Sequence, residues 1–213
     1  MRFALLISII HPLFTLAELK EINLFDGNSL KGWTDLSGAS PAKGWVVEDG
    51  CIFRKNKAGD LYTKESFKDF DFSFEWKIAV GCNSGVKYRV TDYSGATLGP
   101  EYQIIDDAKL KYAPGHLGAT ASIYAIKGAS AQKKLKPPGA FNVSRIVAKG
   151  RKLEHWLNGE KVAEIEIGSE DWKKRHAKSK FKSRPDFGTK SGRIMLQEHG
   201  GKVRFRNLKI RKL

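Results

Sequence analysis

The sequence predicts an all-β domain, a sandwich or barrel of short antiparallel strands. Three observations carry this expectation. Apolar and polar residues alternate with a period of two through most of the chain, glycine turns separate the runs at short intervals, and helical periodicity is nearly absent. At 213 residues the chain is long enough to bury a sizeable core without metal or disulfide staples. The 11% aromatic share excludes a disordered chain. No repeat or linker divides it, and residues 18–213 read as one domain.

Residues 1–17 read as a leader. Arg2 is a short positive region, Phe3 to Ile10 an apolar run, and Thr15-Leu16-Ala17 a small-residue cleavage site. The run is interrupted by His11-Pro12 and is too short to span a bilayer. A secretory signal cut after Ala17, a periplasmic or secreted mature protein and no stable membrane insertion are expected.

The strands follow in order. "WVVEDGCIF" places Asp49-Gly50 between two apolar runs, a hairpin signal. "FDFSFEWKIAV" alternates over Phe70, Phe72, Phe74 and Trp76, and "SGVKYRV" sets Val86, Tyr88 and Val90 against Lys87 and Arg89. "RIVAKGRKLEHWLNGEKVAEIEI" is two or three strands turned at Lys149-Gly150 and Asn158-Gly159, and "GRIMLQEHGGKVRFRNLKIRKL" is a closing hairpin. At most one short helix is expected, capped by Ser169 with Glu170 and Asp171 in its first turn.

Removal of residues 1–17 leaves 37 basic against 23 acidic residues, net +14. Such a surface attracts polyanions. The basic residues are nevertheless spread along the chain. The densest run, Trp172 to Arg184, has seven Lys and Arg but only Trp172 and Phe181 as aromatics. It lacks the interleaved stacking residues of a single-strand groove, so it reads as a solvated segment and no nucleic-acid partner is expected. Cys51 and Cys82 can pair in an oxidising compartment, and neither has metal-ligand spacing.

The unusual feature is the polarity of particular strand faces. In "LGPEYQIIDDA", period two puts Glu101 and Gln103 on one face and Tyr102 and Ile104 on the other. Asp106 joins Glu101 and Gln103 only if a bulge near Ile105 re-aims it. Gln197 and His199 end "IMLQEHGG", His155 and Trp156 lie in "LEHWLNG", and Asn83 and Arg89 lie in "GCNSGVKYRV". Amides, carboxylates and histidines for hydroxyls, with Trp and Tyr for ring faces, are the furniture of a sugar site.

These stretches, with "LFDGNSLKGW" and "GDLYTKESFKDF", resemble in order the 3-keto-disaccharide hydrolase family, from about Glu21 to the last residues. The resemblance implies a concanavalin A-like jelly-roll sandwich of two antiparallel sheets and action on sugars oxidised at C3. That fold also houses laminarinase-like β-glucanases, whose catalytic strand reads Glu-x-Asp-x-x-Glu. Glu101-x-Gln103-x-x-Asp106 keeps the spacing but loses the middle carboxylate and shortens the last. Direct retaining hydrolysis needs two carboxyls about 5–5.5 Å apart, so this strand suits a different route.

A ketone at C3 acidifies the C2 hydrogen, whose removal expels the C1 substituent; water then adds back. Such a site needs a base, an oxyanion stabiliser and an acid. The candidates are Glu101 or His155 as base, His199, Arg89 or a divalent cation for the oxyanion, and Asp106 as acid or as a group orienting a partner. Asn83, Arg89, Gln103, Trp156 and Gln197 are candidate sugar ligands. The alternative functions are a non-catalytic carbohydrate-binding module and a conventional laminarinase-like endo-glycosidase.

Overall fold

The computed structural model describes residues 20–41 and 43–213; the leader read at residues 1–17 lies outside them. Chain order is β1 (Glu21–Asn23), β2 (Trp33–Thr34), β3 (Trp45–Glu48), β4 (Cys51–Arg54), β5 (Leu61–Phe67), β6 (Phe70–Ile78), β7 (Asn83–Asp92), β8 (Thr97–Leu98), β9 (Glu101–Ile105), α1 (Asp107–Leu110), β10 (Asn142–Lys149), β11 (Lys152–Leu157), β12 (Glu160–Glu166), α2 (Glu170–Lys178), β13 (Gly192–Leu196) and β14 (Val203–Lys212). Two antiparallel sheets result. One runs β12-β11-β10-β6-β14-β4-β3 with β1 beside β14; the other runs β2-β5-β13-β7-β8, with β9 also on β7.

Three of the expected hairpins form, β3–β4, β10–β11 and β11–β12. The expected closing hairpin does not, because β13 pairs in the second sheet and β14 crosses to the first. Asp49 and Gly50 both take positive φ, 53° and 66°, as do Asn158 and Gly159 at 48° and 88°. A tight two-residue turn needs that left-handed backbone, which these residue types tolerate. α2 starts where Ser169 Oγ accepts from Trp172 N at 3.2 Å. α1 is a single further turn. Cys51 and Cys82 are both buried and unpaired, so the possible disulfide is not made.

Alternation decides the core. On β6, Phe70, Phe72, Phe74, Trp76 and Ile78 are all buried, and they meet Val86, Tyr88, Tyr102 and Ile104 of the second sheet. The polar atoms that this brings inside are paired. Trp76 Nε1 donates to Ser144 Oγ at 2.8 Å, and that hydroxyl donates to Tyr102 Oη at 2.7 Å. A buried donor without a partner costs about 1–3 kcal/mol, so such chains are needed wherever Trp and Tyr fill a core.

His155 belongs to this interior. It has no exposed surface, Nδ1 lies 3.1 Å from the Ala121 carbonyl oxygen and Nε2 lies 3.0 Å from Tyr88 Oη. The carbonyl can only accept, so Nδ1 carries the proton and Nε2 accepts from the tyrosine. Burial pushes the imidazole pKa down to about 3. In the unfolded chain the ring takes a proton below about 6.5, so the unfolded state binds more protons between those values. This group's contribution is therefore complete above about pH 6.5 and declines toward pH 3, at up to roughly 1.4 kcal/mol per unit. Thermal melts at pH 7 and pH 5 should show a lower Tm at pH 5 in the wild type. The gap should narrow in His155→Leu; an equal gap would remove His155 as its source.

Candidate active site

Strand register across the second sheet lays out the site. Tyr62 of β5 faces Met195 of β13, Met195 faces Lys87 of β7, and Lys87 faces Glu101 of β9. The neighbouring row, Leu61, Leu196, Val86 and Tyr102, is in the core. Side chains alternate between faces, so the first row points away from the core. Tyr62 and Met195 form there, with Val90, a small apolar cluster separate from the main one. In the row beyond, Gly85 faces Gln103, and Gln197 N donates to the Gly85 carbonyl oxygen at 2.9 Å.

Glu101 is the centre of this face. It is only 5% exposed, because Gly85 leaves room for it. A Cβ built on Gly85 would lie 2.6 Å from Glu101 Oε1. Lys87 Nζ stands 3.9 Å from Glu101 Oε2. Burial pushes the Glu101 carboxyl up, against the opposing charges of Lys87 and Lys180. Lys180 is the second ammonium. It lies 4.4 Å over the ring of Tyr124, whose backbone N–H donates to the Glu101 carbonyl oxygen at 3.0 Å. Desolvation draws the Lys180 ammonium down, and the charge of Glu101 opposes it.

Asn83 and His199 continue the polar face past Gln103. The Asn83 side-chain amide lies 3.4 Å from that of Gln103 and 3.3 Å from His199 Nδ1. Ser84 Oγ donates to the Gln197 carbonyl oxygen at 2.9 Å, holding that segment against β7. Glu101, Gln103, Asn83, Gln197 and His199 are thus brought together, as their strand parity suggested.

Four other candidates are not there. His155, a possible base, is sealed in the core because its parity matches Leu153 and Leu157, both buried. Arg89 is fully buried and donates to the carbonyls of Lys68, Gly188 and Gly150 and to Asp69 Oδ1. It ties three loops together and cannot reach an oxyanion. Trp156 is on the first sheet, half-buried between Arg145 and Lys161, whose charges lie 5.2 and 5.9 Å from the ring. Asp106 does not join Glu101 because β9 pairs regularly with β7 to its last residue, without the bulge that joining required. It caps α1 instead, accepting from Lys109 N at 3.1 Å and Gly81 N at 2.8 Å. Among the described residues, no three His, Cys, Asp or Glu side chains converge. The donor set for a divalent cation at the oxyanion is not assembled by these groups.

Lys87, Lys180, Tyr124 and Tyr62 were not among the candidates. Lys87 reads in sequence as ordinary polar alternation, and only the β7–β9 register sets it opposite Glu101. Lys180 lies in the basic run Trp172 to Arg184. The aromatics of that run are anchors: Trp172 and Phe181 are both buried, and Phe181 stacks on Phe187 at 4.0 Å. A cavity of about 530 Å³ lies off the end of β9, lined by Trp76, Ile78, Tyr112, Leu135 and Pro137 among others. Its carboxylates are already engaged, Asp106 as a cap and Asp107 with Lys133 at 2.7 Å. The open face around Glu101, where polar groups converge and a pKa is displaced, is the better candidate.

A profile of 3-keto-alpha-glucoside-1,2-lyase-like domains matches residues 20–211. The chain belongs to that family. A 3-keto-disaccharide hydrolase of Bacteroides thetaiotaomicron is 30% identical to it, over 90% of this chain and 78% of the relative. A crystal structure of a "putative glycosyl hydrolase" from Parabacteroides distasonis superposes with a TM-score of 0.79 at 36% identity, covering 91% of this chain and 94% of that one. The β-glucanase of Bacillus licheniformis superposes with a TM-score of 0.51 at 10% identity, covering 93% of this chain and all of that one, which shows a shared fold alone. The expected jelly-roll sandwich is therefore the observed architecture. Among the described residues, no helix of this family member is long and apolar enough to cross a membrane.

Proposed function

We propose that this chain is a carbohydrate hydrolase that cleaves 3-keto-glycosides by C2 proton abstraction, expulsion of the C1 substituent and addition of water. One observation carries the reading. The face built around Glu101 has a buried carboxyl 3.9 Å from the Lys87 ammonium and within the field of Lys180, while Asp106, at the spacing of the last glucanase carboxylate, is spent on a helix cap. That arrangement suits proton transfer next to a developing oxyanion better than direct displacement at C1.

Glu101 takes the C2 proton, and its raised affinity for protons strengthens it as a base. Lys87 and Lys180 balance the negative charge that gathers on the C3 oxygen. Lys180, held down by desolvation, gives a proton to the departing oxygen. Asn83 and Gln197 meet sugar hydroxyls, and Tyr124 offers ring surface. The names of the relatives support the substrate class.

Purified protein incubated with 3-keto-trehalose, 3-keto-sucrose and the unoxidised parents tests the reading. Cleavage of the keto sugars with the parents intact is expected. Equal rates on both would indicate a conventional glycosidase, and binding without turnover a carbohydrate-binding module.

The basic run divides in the same assay. Lys173, Lys174 and Arg175 lie on α2, where Lys173 and Arg175 pair with Glu170 and Asp171 of their own helix. Neutralising all three should leave kcat/KM on a neutral keto-disaccharide within about threefold, roughly 0.7 kcal/mol of barrier. Lys180→Met should lower it by at least roughly tenfold, about 1.4 kcal/mol. Equal effects from the two variants would contradict a site role specific to Lys180.

A further inference from the structure

Two amide side chains stand in line between Glu101 and His199. One terminal atom of the Gln103 amide lies 3.0 Å from Glu101 Oε1 and 3.0 Å from the Ser84 carbonyl oxygen. A peptide carbonyl has no proton to give at any pH, and an ionised carboxylate has none either. The atom facing them is therefore the nitrogen, whose two N–H groups match two acceptors. This turns the Gln103 carbonyl oxygen toward Asn83, whose facing amide atom is 3.4 Å away. An oxygen needs a donor there, so that atom is the Asn83 nitrogen. The Asn83 oxygen then faces His199 Nδ1 across 3.3 Å.

We infer that the Gln103–Asn83 pair holds His199 in the tautomer protonated at Nδ1, leaving Nε2 as a proton acceptor on the same face as Glu101. The direction of the chain is set at its far end by the Ser84 carbonyl, a fixed backbone acceptor. The tautomer of an imidazole follows the hydrogen bond made by its other nitrogen, and here that bond is with an acceptor.

Resting on the proposed function, this separates two roles open to His199. A neutral ring with no proton on Nε2 cannot donate to an enolate oxygen, which leaves that charge to Lys87 and Lys180. It can take a proton from the water that adds to C1 after the leaving group has gone. The water oxygen bonds to C1, its proton goes to His199 Nε2, and C2 recovers the proton held by Glu101. Gln103 and Asn83 are positioning residues in this step.

The test is the tautomer itself, read by two-bond proton–nitrogen correlation spectra of the ¹⁵N-labelled protein at about pH 8.5, well above the ordinary histidine value of about 6.5. His199→Gln assigns the signal. The wild type should show a protonated Nδ1 and an acceptor-type Nε2 at His199. Asn83→Leu, at a half-buried position, removes the acceptor and should shift the ring toward the Nε2-protonated form with loss of the acceptor-type resonance. Asn83→Asp, whose carboxylate can only accept, should retain the wild-type pattern. Nε2 protonated in the wild type, or an unchanged pattern in Asn83→Leu, would overturn the inference. The measurement uses free protein, so failure to cleave keto sugars leaves it standing, and a wrong tautomer leaves the substrate assay untouched.

Discussion

Glu101→Gln should lower turnover of a 3-keto-disaccharide by roughly 10²–10⁴, the usual range for loss of a positioned proton acceptor. The amide has the shape of the carboxylate and can still accept from Gln103 through its oxygen. It cannot take a proton from carbon. Folding should survive, because the substitution removes a buried charge whose ionised form is disfavoured by burial. It leaves Lys87 with a side chain still 22% exposed to water. The assay is kcat/KM on the keto sugar beside a thermal melt of the same sample. Near-full activity with an unchanged Tm would remove Glu101 from the chemistry. With His155 enclosed in the core, the base would then have to be sought at His199.

Gly85→Ala is expected to cost about 10² in kcat, the scale associated with displacing a reacting group by about 1 Å. The added methyl would sit 2.6 Å from Glu101 Oε1 and 3.2 Å from its Cδ and Cγ. Real Cβ atoms do not approach so closely, so the carboxylate must move from its place between Lys87 and Gln103. Gly85 is not among the glycines with positive φ, so alanine meets no backbone strain and the effect is confined to the site. A Tm close to wild type with strongly reduced kcat is the expected pair of results. Unchanged kcat would mean that the position of the Glu101 carboxylate does not matter to the reaction.

Local sequence determined the strands and the parity of the residues within them. Phe70, Phe72, Phe74 and Trp76 alternate, so they share a face whatever lies opposite, and the turns at Asp49-Gly50 and Asn158-Gly159 need left-handed backbone that few other pairs supply. By the same rule Glu101 and Gln103 had to be neighbours on one face. Period two does not state which face meets the core. His155 and Glu101 are both polar residues on alternating strands, yet β11 turns its histidine inward toward Tyr88 while β9 turns its glutamate outward. That choice is made by summed burial over the whole sandwich. Nor can a local pattern tell which distant segment adjoins a strand. Lys87 meets Glu101 through long-range register, and Lys180 arrives from a different part of the chain because Trp172 and Phe181 anchor its segment. Asp106 shows the opposite limit. Its spacing matched a catalytic pattern, but pairing ended at Ile105 and the free amide ends of α1 took the carboxylate as a cap. Periodicity is a property of neighbours along the backbone, whereas a site is made by neighbours across it, and only the packed sheets bring those together.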